Sequence, residues 1–385
     1  MQPYPRSHIT SQVKFGGVVC RKIRVLHVMS NLRPSGMERM LVSGAPYMLT
    51  AEFEHSIVGI GEEHPYSSVL EDAGYTVHAL SAPGRLTRWS ALTRVIRSDR
   101  PDIVHIHTEG SYLPTVIVAR LALGSRGAVV RTVHNVFLAR GRWLWSRWLQ
   151  ARIADTLVAA MVAPSPDVAE NERGLGRSAQ VVYNWVDDAI FELREARQRS
   201  KSERIAGSRP VAAIIGNCSE TKRHELALAA IEQLGHELIH VGMEDGASLE
   251  ETARLARMAD SGRLIHRGAG GPDRALSEGD YYVMPSRNEG MGVALAEALV
   301  CGLPSVVSDS PGLRWARNQP GVISVSDSPA EWARAIEAVA ANGEPSQSTI
   351  DFSARRGASE YEEVYRAALR GKRGRDTDVG STIAS

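Results

Sequence analysis

Two carboxylates eight positions apart, Glu289 and Glu297, frame the stretch NEGMGVALAEAL. Glu289 stands in a turn that carries Gly290 and Gly292, and Glu297 lies two turns into the apolar helical run that follows. Backbone N–H groups at such a helix start point outward, and the helix dipole favours an anion there, so a phosphate fits. Glu289 at the mouth can accept hydrogen bonds from hydroxyl groups. Glu297 can accept a pair of them, such as a ribose diol. A turn that holds a diphosphate between two hydroxyl-binding carboxylates describes a nucleotide-sugar site. The alternative is that Glu297 only caps the helix or pairs with a basic neighbour, since a buried carboxylate needs some partner.

The elements that must position this turn are legible as alternating β-rich and helical runs. KIRVLHVM, HSIVGI, YTVHAL, DIVHIH, AVVRTVHN and TLVAAMVAP read as strands of a first domain. VAAIIGN, HELIHVG, RLIHRG, DYYVMPS, PSVVSD and GVISV read as strands of a second. The runs are apolar on both faces, as strands covered by helices on each side must be. Strands alternating with helices imply parallel, doubly wound sheets. The boundaries predicted are a flexible leader (1–21), an N-terminal Rossmann-like domain (22–185), an interdomain linker (186–209) and a C-terminal Rossmann-like domain (210–350). A helix over 351–370 is expected to pack back toward the N-terminal domain, before a disordered tail (371–385). Two such domains place the carboxyl ends of both sheets across a shared cleft, where ligands bind.

Composition narrows the class. The chain has 385 residues, 43% hydrophobic and 23% charged, with a formal net charge of +1, which predicts no overall pull toward nucleic acid. Cys20, Cys218 and Cys301 are odd in number and far apart, which points to reduced thiols and a cytoplasmic protein. No apolar run approaches the roughly 20 residues of a membrane span. Dinucleotide binding would want GxGxxG after the first strand, where SNLRPSGMER stands instead, and the GxxxxGK[ST] phosphate loop is absent too. No His, Asp or Cys cluster has metal-ligand spacing, so no metal and no cofactor is expected beyond the nucleotide-sugar substrate.

EGMGVALAE followed by ALVCGLPSVVSD resembles the glutamate–seven residues–glutamate motif of retaining GT-B glycosyltransferases, in the large group 1 family that builds capsule, exopolysaccharide and glycolipid sugars. RVLHVMSNLRPSGMERML, PDIVHIH, RTVHN, VVYNWVD and YEEVY extend the likeness along the chain. The resemblance implies that Glu289 contacts donor-sugar hydroxyls and Glu297 the donor ribose, with Gly290, Met291, Gly292 and Val293 around the diphosphate. It implies that Gly36 lies in a loop approaching that diphosphate and that His134 sits beside the transferred sugar. After Gly216 the family carries an arginine where Asn217 stands, then a lysine matched by Lys222; Arg223 next to it is the candidate replacement cation. His134, Lys222 and Glu289 are the implied catalytic residues.

The implied reaction moves a hexose or N-acetylhexosamine from a nucleoside-diphosphate sugar, UDP-sugar favoured, to a glycan or lipid-linked acceptor. A nucleotide-sugar 2-epimerase of the same fold, or a degenerate protein that only binds, remain alternatives. On the acceptor side, seven arginines and no acid stand between Glu109 and Asp155, with Trp143, Trp145 and Trp148 in RGRWLWSRWLQAR. Arg142, Arg147 and these tryptophans suit a membrane surface at the inner face of the bilayer; the alternative is a helix with its tryptophans in the core.

Overall fold

The structure is a computed structural model that describes residues 21–82, 84–137, 141–203, 207–342, 345–346 and 348–381. Nearly all of the predicted leader, with Cys20, lies outside the described residues, as do Arg140, the short stretch 204–206 of the linker and the last residues of the tail.

The first sheet is formed by β1 (Ile23–Met29), β2 (Phe53–Gly59), β3 (Thr76–Ala79), β4 (Ile103–Ile106), β5 (Ala128–Thr132), β6 (Ala160–Ala163) and β7 (Gln180–Val181). Its order is β3-β2-β1-β4-β5-β6-β7, every pair parallel. β4 and β5 are buried at every residue, which is why they read as unbroken apolar runs. The second sheet is formed by β8 (Val211–Ile215), β9 (Glu237–Val241), β10 (Leu264–Gly268), β11 (Tyr281–Met284), β12 (Ser305–Ser308) and β13 (Val322–Val325), ordered β10-β9-β8-β11-β12-β13 and again all parallel. Strand order reverses between β1 and β4 in one sheet and between β8 and β11 in the other. At such switch points the loops leaving the strand ends open a crevice. The turn with Glu289 follows β11, and Lys222 follows β8.

Trp185 ties the last helix of the chain to the N-terminal domain. Its indole N–H donates to the Met40 carbonyl (2.8 Å) and the ring stacks edge-on against Tyr361. Helix Gly36–Met48 and helix Ala354–Ser381 reach it through Gly44 and Gly357, where a Cβ would stand 2.7 and 2.2 Å from the indole. Any side chain there would push a helix off the ring. Tyr361 and Tyr365 of the last helix lie in the same apolar cluster as Met40, Phe53 and Ile57 of the N-terminal domain.

Two stretches differ from their predicted form. Residues 188–203 of the linker form a helix, Asp188–Glu203, whose Ile190 is buried in the C-terminal core and whose buried Arg197 donates to the carbonyls of Gly279 and Asp280. The charge that breaks up the periodicity there includes a cation caught by backbone oxygens. The last helix continues to Ser381, past the tail boundary at 371. No helix of the described residues is long and apolar enough to cross a membrane.

Candidate active site

The turn after β11 runs through Pro285 to Gly292, and Gly292, at φ 75°, takes the left-handed conformation that starts helix Val293–Val300. A glycine tolerates that backbone at no steric cost. Leu295, Ala296, Ala298, Leu299 and Val300 bury the helix against the C-terminal core, while its first N–H groups, those of Val293 and Ala294, face out of its end. Met291 is 1% exposed: its side chain belongs to that core, its sulfur accepts the Asn184 N–H, and only its backbone is available to a ligand.

Lys222 Nζ stands 2.6 Å from Glu289 Oε1. The pair joins the loops after β8 and β11 at the mouth of the crevice. An ammonium has three donors, so the lysine holds Glu289 and keeps donors for a second anion. Gly216 lies beneath its stem, where a Cβ would be 3.8 Å from Nζ.

Glu297 is half-buried in the helix. Burial pushes its carboxyl up to about 7, opposed by the positive charge of Arg39 and reinforced by Asp273 and Asp187. Arg39 comes from the first turns of helix Gly36–Met48 of the other domain and is exposed. This cation was not singled out by the sequence, although it sits three residues after Gly36. Gly36 itself has open space around it. The neighbouring Glu38 is buried, and burial raises its carboxyl while Ser35 and nearby backbone groups hydrogen-bond to it.

The N-terminal domain closes directly over the turn. A Cβ on Gly290 would meet the His134 carbonyl oxygen at 1.8 Å, and Ser165 Oγ donates to the Gly290 carbonyl (2.6 Å). Asn288 donates to the Val136 carbonyl (2.7 Å), and Asp167 accepts from the Gly312 N–H (3.1 Å). Ser165 and Asp167 were missed because their signal, the start of helix Pro166–Arg173 in SPD, reads only as a cap.

His134 ends a file of four imidazoles. His55 Nδ1 meets His27 Nε2 (2.9 Å), His27 Nδ1 meets His107 Nε2 (3.0 Å), and His107 Nδ1 meets His134 Nε2 (3.1 Å). Burial lowers all four, His27 to about 3 and His134 to about 4, with Arg131 adding to the effect on His134. The rings are therefore neutral near pH 7, each with one donor and one acceptor. His55 Nε2 is buried without a partner. An orphaned N–H is rarer than an orphaned acceptor, so the file runs with protons on Nδ1 and His134 offers Nδ1–H at its free end. Glu109 fixes the ring's backbone, accepting the His134 N–H (2.7 Å) while paired with buried Arg131 (3.2 Å).

Neither Asn217 nor Arg223 offers a cation to the diphosphate position. Asn217, in the place of an arginine, is exposed and its carboxamide oxygen accepts the Met243 N–H (2.9 Å). Arg223 does not replace it. Its guanidinium is turned away into buried contacts with the Pro285 carbonyl (3.0 Å), Ser308 Oγ (3.2 Å) and Asp327 (2.8 Å). The cause is its backbone: φ of 51° is left-handed, a strained choice for an arginine that these three contacts hold in place.

The tryptophan-rich segment forms helix Arg142–Asp155, seated on its neighbour through fully buried Ala154. Trp143 and Trp145 are both 73% exposed and Trp148 is 39% exposed, so they do not pack in the core. Arg147 does not join that surface, being ion-paired to buried Glu172 and stacked on Phe137. The Arg142 side chain lies outside the described residues.

The family model described as "Glycosyl transferases group 1" matches residues 209–342, and that described as "Glycosyltransferase Family 4" matches residues 34–190. The chain belongs to the group 1 glycosyltransferases. This glycosyltransferase is 26% identical over 360 residues to EpsF of Bacillus subtilis (strain 168), a protein with a glycosyltransferase name, covering 85% of this chain and 90% of that one. It is 21% identical over 237 residues to the N-acetyl-alpha-D-glucosaminyl L-malate synthase of Bacillus anthracis, covering 58% and 61%. Among solved structures it superposes on Anabaena HepE in complex with UDP and glucose with a TM-score of 0.67 at 16% identity, covering 94% of this chain and 100% of that one. The fold of this glycosyltransferase is GT-B.

Proposed function

We propose that this glycosyltransferase takes a hexose or N-acetylhexosamine from a nucleoside-diphosphate sugar, with UDP as the carrier, and passes it with retained anomeric configuration to a hydroxyl of a glycan or lipid-linked sugar. The observation that carries this reading is Lys222 held on Glu289 at the start of helix Val293–Val300, with Glu297 in that helix. The diphosphate would lie between Lys222 and the helix amino terminus, the ribose hydroxyls on Glu297, and the sugar hydroxyls between Glu289 and the Nδ1–H of His134. The UDP held by HepE supports uracil as the base.

In the reaction the anomeric carbon–oxygen bond to the diphosphate breaks while the acceptor oxygen bonds to the same face of the carbon. The acceptor proton leaves to the departing diphosphate oxygen. Lys222 and the helix end stabilise the charge that develops on that oxygen, preorganised electrostatics being the largest catalytic term in most enzymes. Glu289 and Glu297 act as hydrogen-bond acceptors rather than as an acid and nucleophile pair. Exposed Trp143, Trp145 and Trp148 would seat the N-terminal domain at the cytoplasmic membrane face, beside lipid-linked acceptors.

A thermal-shift panel of UDP-, GDP-, ADP- and dTDP-sugars, with NAD as control, tests the reading. Stabilisation by UDP-sugars above the others is expected. A folded sample unmoved by every nucleotide-sugar would contradict it.

A further inference from the structure

Cys218, His224, His240 and Glu251 come from four separate elements: the loop after β8, the first residue of helix His224–Leu234, strand β9, and the first turn of helix Leu249–Asp260. All four are buried, at 3%, 2%, 0% and 1% exposure. Their sulfur, ring-nitrogen and carboxylate donors all lie within 4.8 Å of one another. Cys218 Sγ is 3.5 Å from His240 Nε2, and His224 Nδ1 is 2.9 Å from Glu251 Oε1. A tetrahedral zinc with bonds of about 2.0–2.3 Å sets its ligand atoms about 3.3–3.8 Å apart, so a small outward relaxation fits one.

Cys218 and His240 share a hydrogen bond, but the contact between His224 and Glu251 is of another kind. His224 Nδ1 and Glu251 Oε1, though close, are both buried without a hydrogen bond, because their contact lacks the required alignment. Two ligand atoms aimed at one common point, rather than at each other, have this geometry. A buried carboxylate oxygen facing an imidazole nitrogen without an aligned hydrogen bond is costly, and a cation among the four donors would satisfy both. His240 turns its other nitrogen, Nδ1, toward Glu244 at 3.9 Å, and Glu244 is itself gripped by Arg267 at 2.8 and 2.7 Å. At 3.9 Å His240 and Glu244 face each other without a hydrogen bond, short of the closer contact that a metal-ligating imidazole usually makes to a carboxylate.

We propose that these four side chains bind one zinc ion. Binding displaces the Cys218 thiol proton to solvent, so thiolate and carboxylate balance the dication and two neutral imidazoles complete a site of zero net charge. Thiolate and imidazole select zinc over magnesium or calcium. The ion would pin both ends of the 218–224 turn, and Lys222 sits on that turn. Zinc is thus a positioning element for the cation of the donor site, not a participant in transfer.

The test is the metal content of the full chain, purified without a polyhistidine tag, by elemental mass spectrometry. About one zinc per chain is expected. Chelation should lower Tm by about 5 °C or more, with recovery on adding zinc but not magnesium. Cobalt should give the intense visible absorption of a tetrahedral thiolate site in the wild type, lost in Cys218→Ser and in Glu251→Gln. A chain free of transition metal whose Tm ignores added zinc and cobalt overturns the proposal, as does undiminished zinc in both variants. If either variant fails to fold, the wild-type content and cobalt spectrum decide. None of these readouts involves a nucleotide, so the site stands or falls separately from the donor-sugar reading.

Discussion

The backbone of Gly290 in the C-terminal domain lies against the carbonyl oxygen of His134 in the N-terminal domain, so closely that a Cβ would come within 1.8 Å. The glycine of the turn before helix Val293–Val300 is thereby set in register with the histidine that the proposed function puts beside the sugar. Gly290→Ala should keep both domains folded while holding them apart at this point. A displacement of about 1 Å at a reacting centre costs on the order of 100-fold in rate. A loss of that size in kcat/KM, with near-UV circular dichroism unchanged, is the expected result; wild-type activity would show that the contact does not set the geometry.

Glu297 gives a pH signature. Its carboxyl is raised from 4.5 to about 7 by burial. Between those values the folded chain holds a proton that the unfolded chain has lost, so this group favours folding as pH falls and opposes it above 7. The full cost above pH 7 is about 3 kcal/mol. Glu297→Gln should therefore raise Tm relative to wild type at pH 8, with the gain fading by about pH 4.5, while weakening donor binding. A Tm difference that does not change with pH would contradict the assignment.

The histidine file has the opposite sign. His134 is lowered from 6.5 to about 4 and His27 to about 3. Below pH 6.5 the unfolded chain takes up protons that these rings refuse, so stability is lost on acidification through that window. Each contributes about 2 kcal/mol of loss by pH 5. Urea denaturation at pH 7 and pH 5 should show the difference, and His27→Gln should shrink it. Equal midpoints at the two pH values would contradict neutral buried imidazoles.

Lys222 and Arg223 are adjacent cations with separate tasks. Lys222→Ala removes a donor aimed into the cleft and should lower kcat/KM by about 100- to 1000-fold with little change in Tm. Arg223→Ala strands the Pro285 carbonyl and Ser308 and should destabilise the fold by about 2–3 kcal/mol. Its donor affinity, measured on folded protein, should stay within a few-fold. The reverse pattern would return Arg223 to the diphosphate.

Both sheets were legible in the sequence because parallel, fully covered strands leave unbroken apolar runs such as DIVHIH and DYYVMPS. The acidic turn was legible because glycine, carboxylate and helix start are all local. The direction of Arg223 was not, since nothing in TKRHE announces a left-handed backbone. Contacts such as Gly290 on His134 join residues 156 positions apart and depend on how the domains meet. The cysteine–histidine–glutamate cluster escaped the search for ligand spacing for the same reason: its members share no local motif and are gathered only by β8, β9 and two helix starts. The helix Asp188–Glu203 was hidden by its many charged residues, of which Arg197 is buried against backbone carbonyls.

The most direct test of the central claim is a calorimetric titration of UDP into wild type, Lys222→Ala and Glu297→Ala. Binding to the wild type is predicted, weakened by about 1–3 kcal/mol in each variant, as for loss of a charged hydrogen bond. Equal affinity in all three folded proteins would place the nucleotide elsewhere and contradict the account.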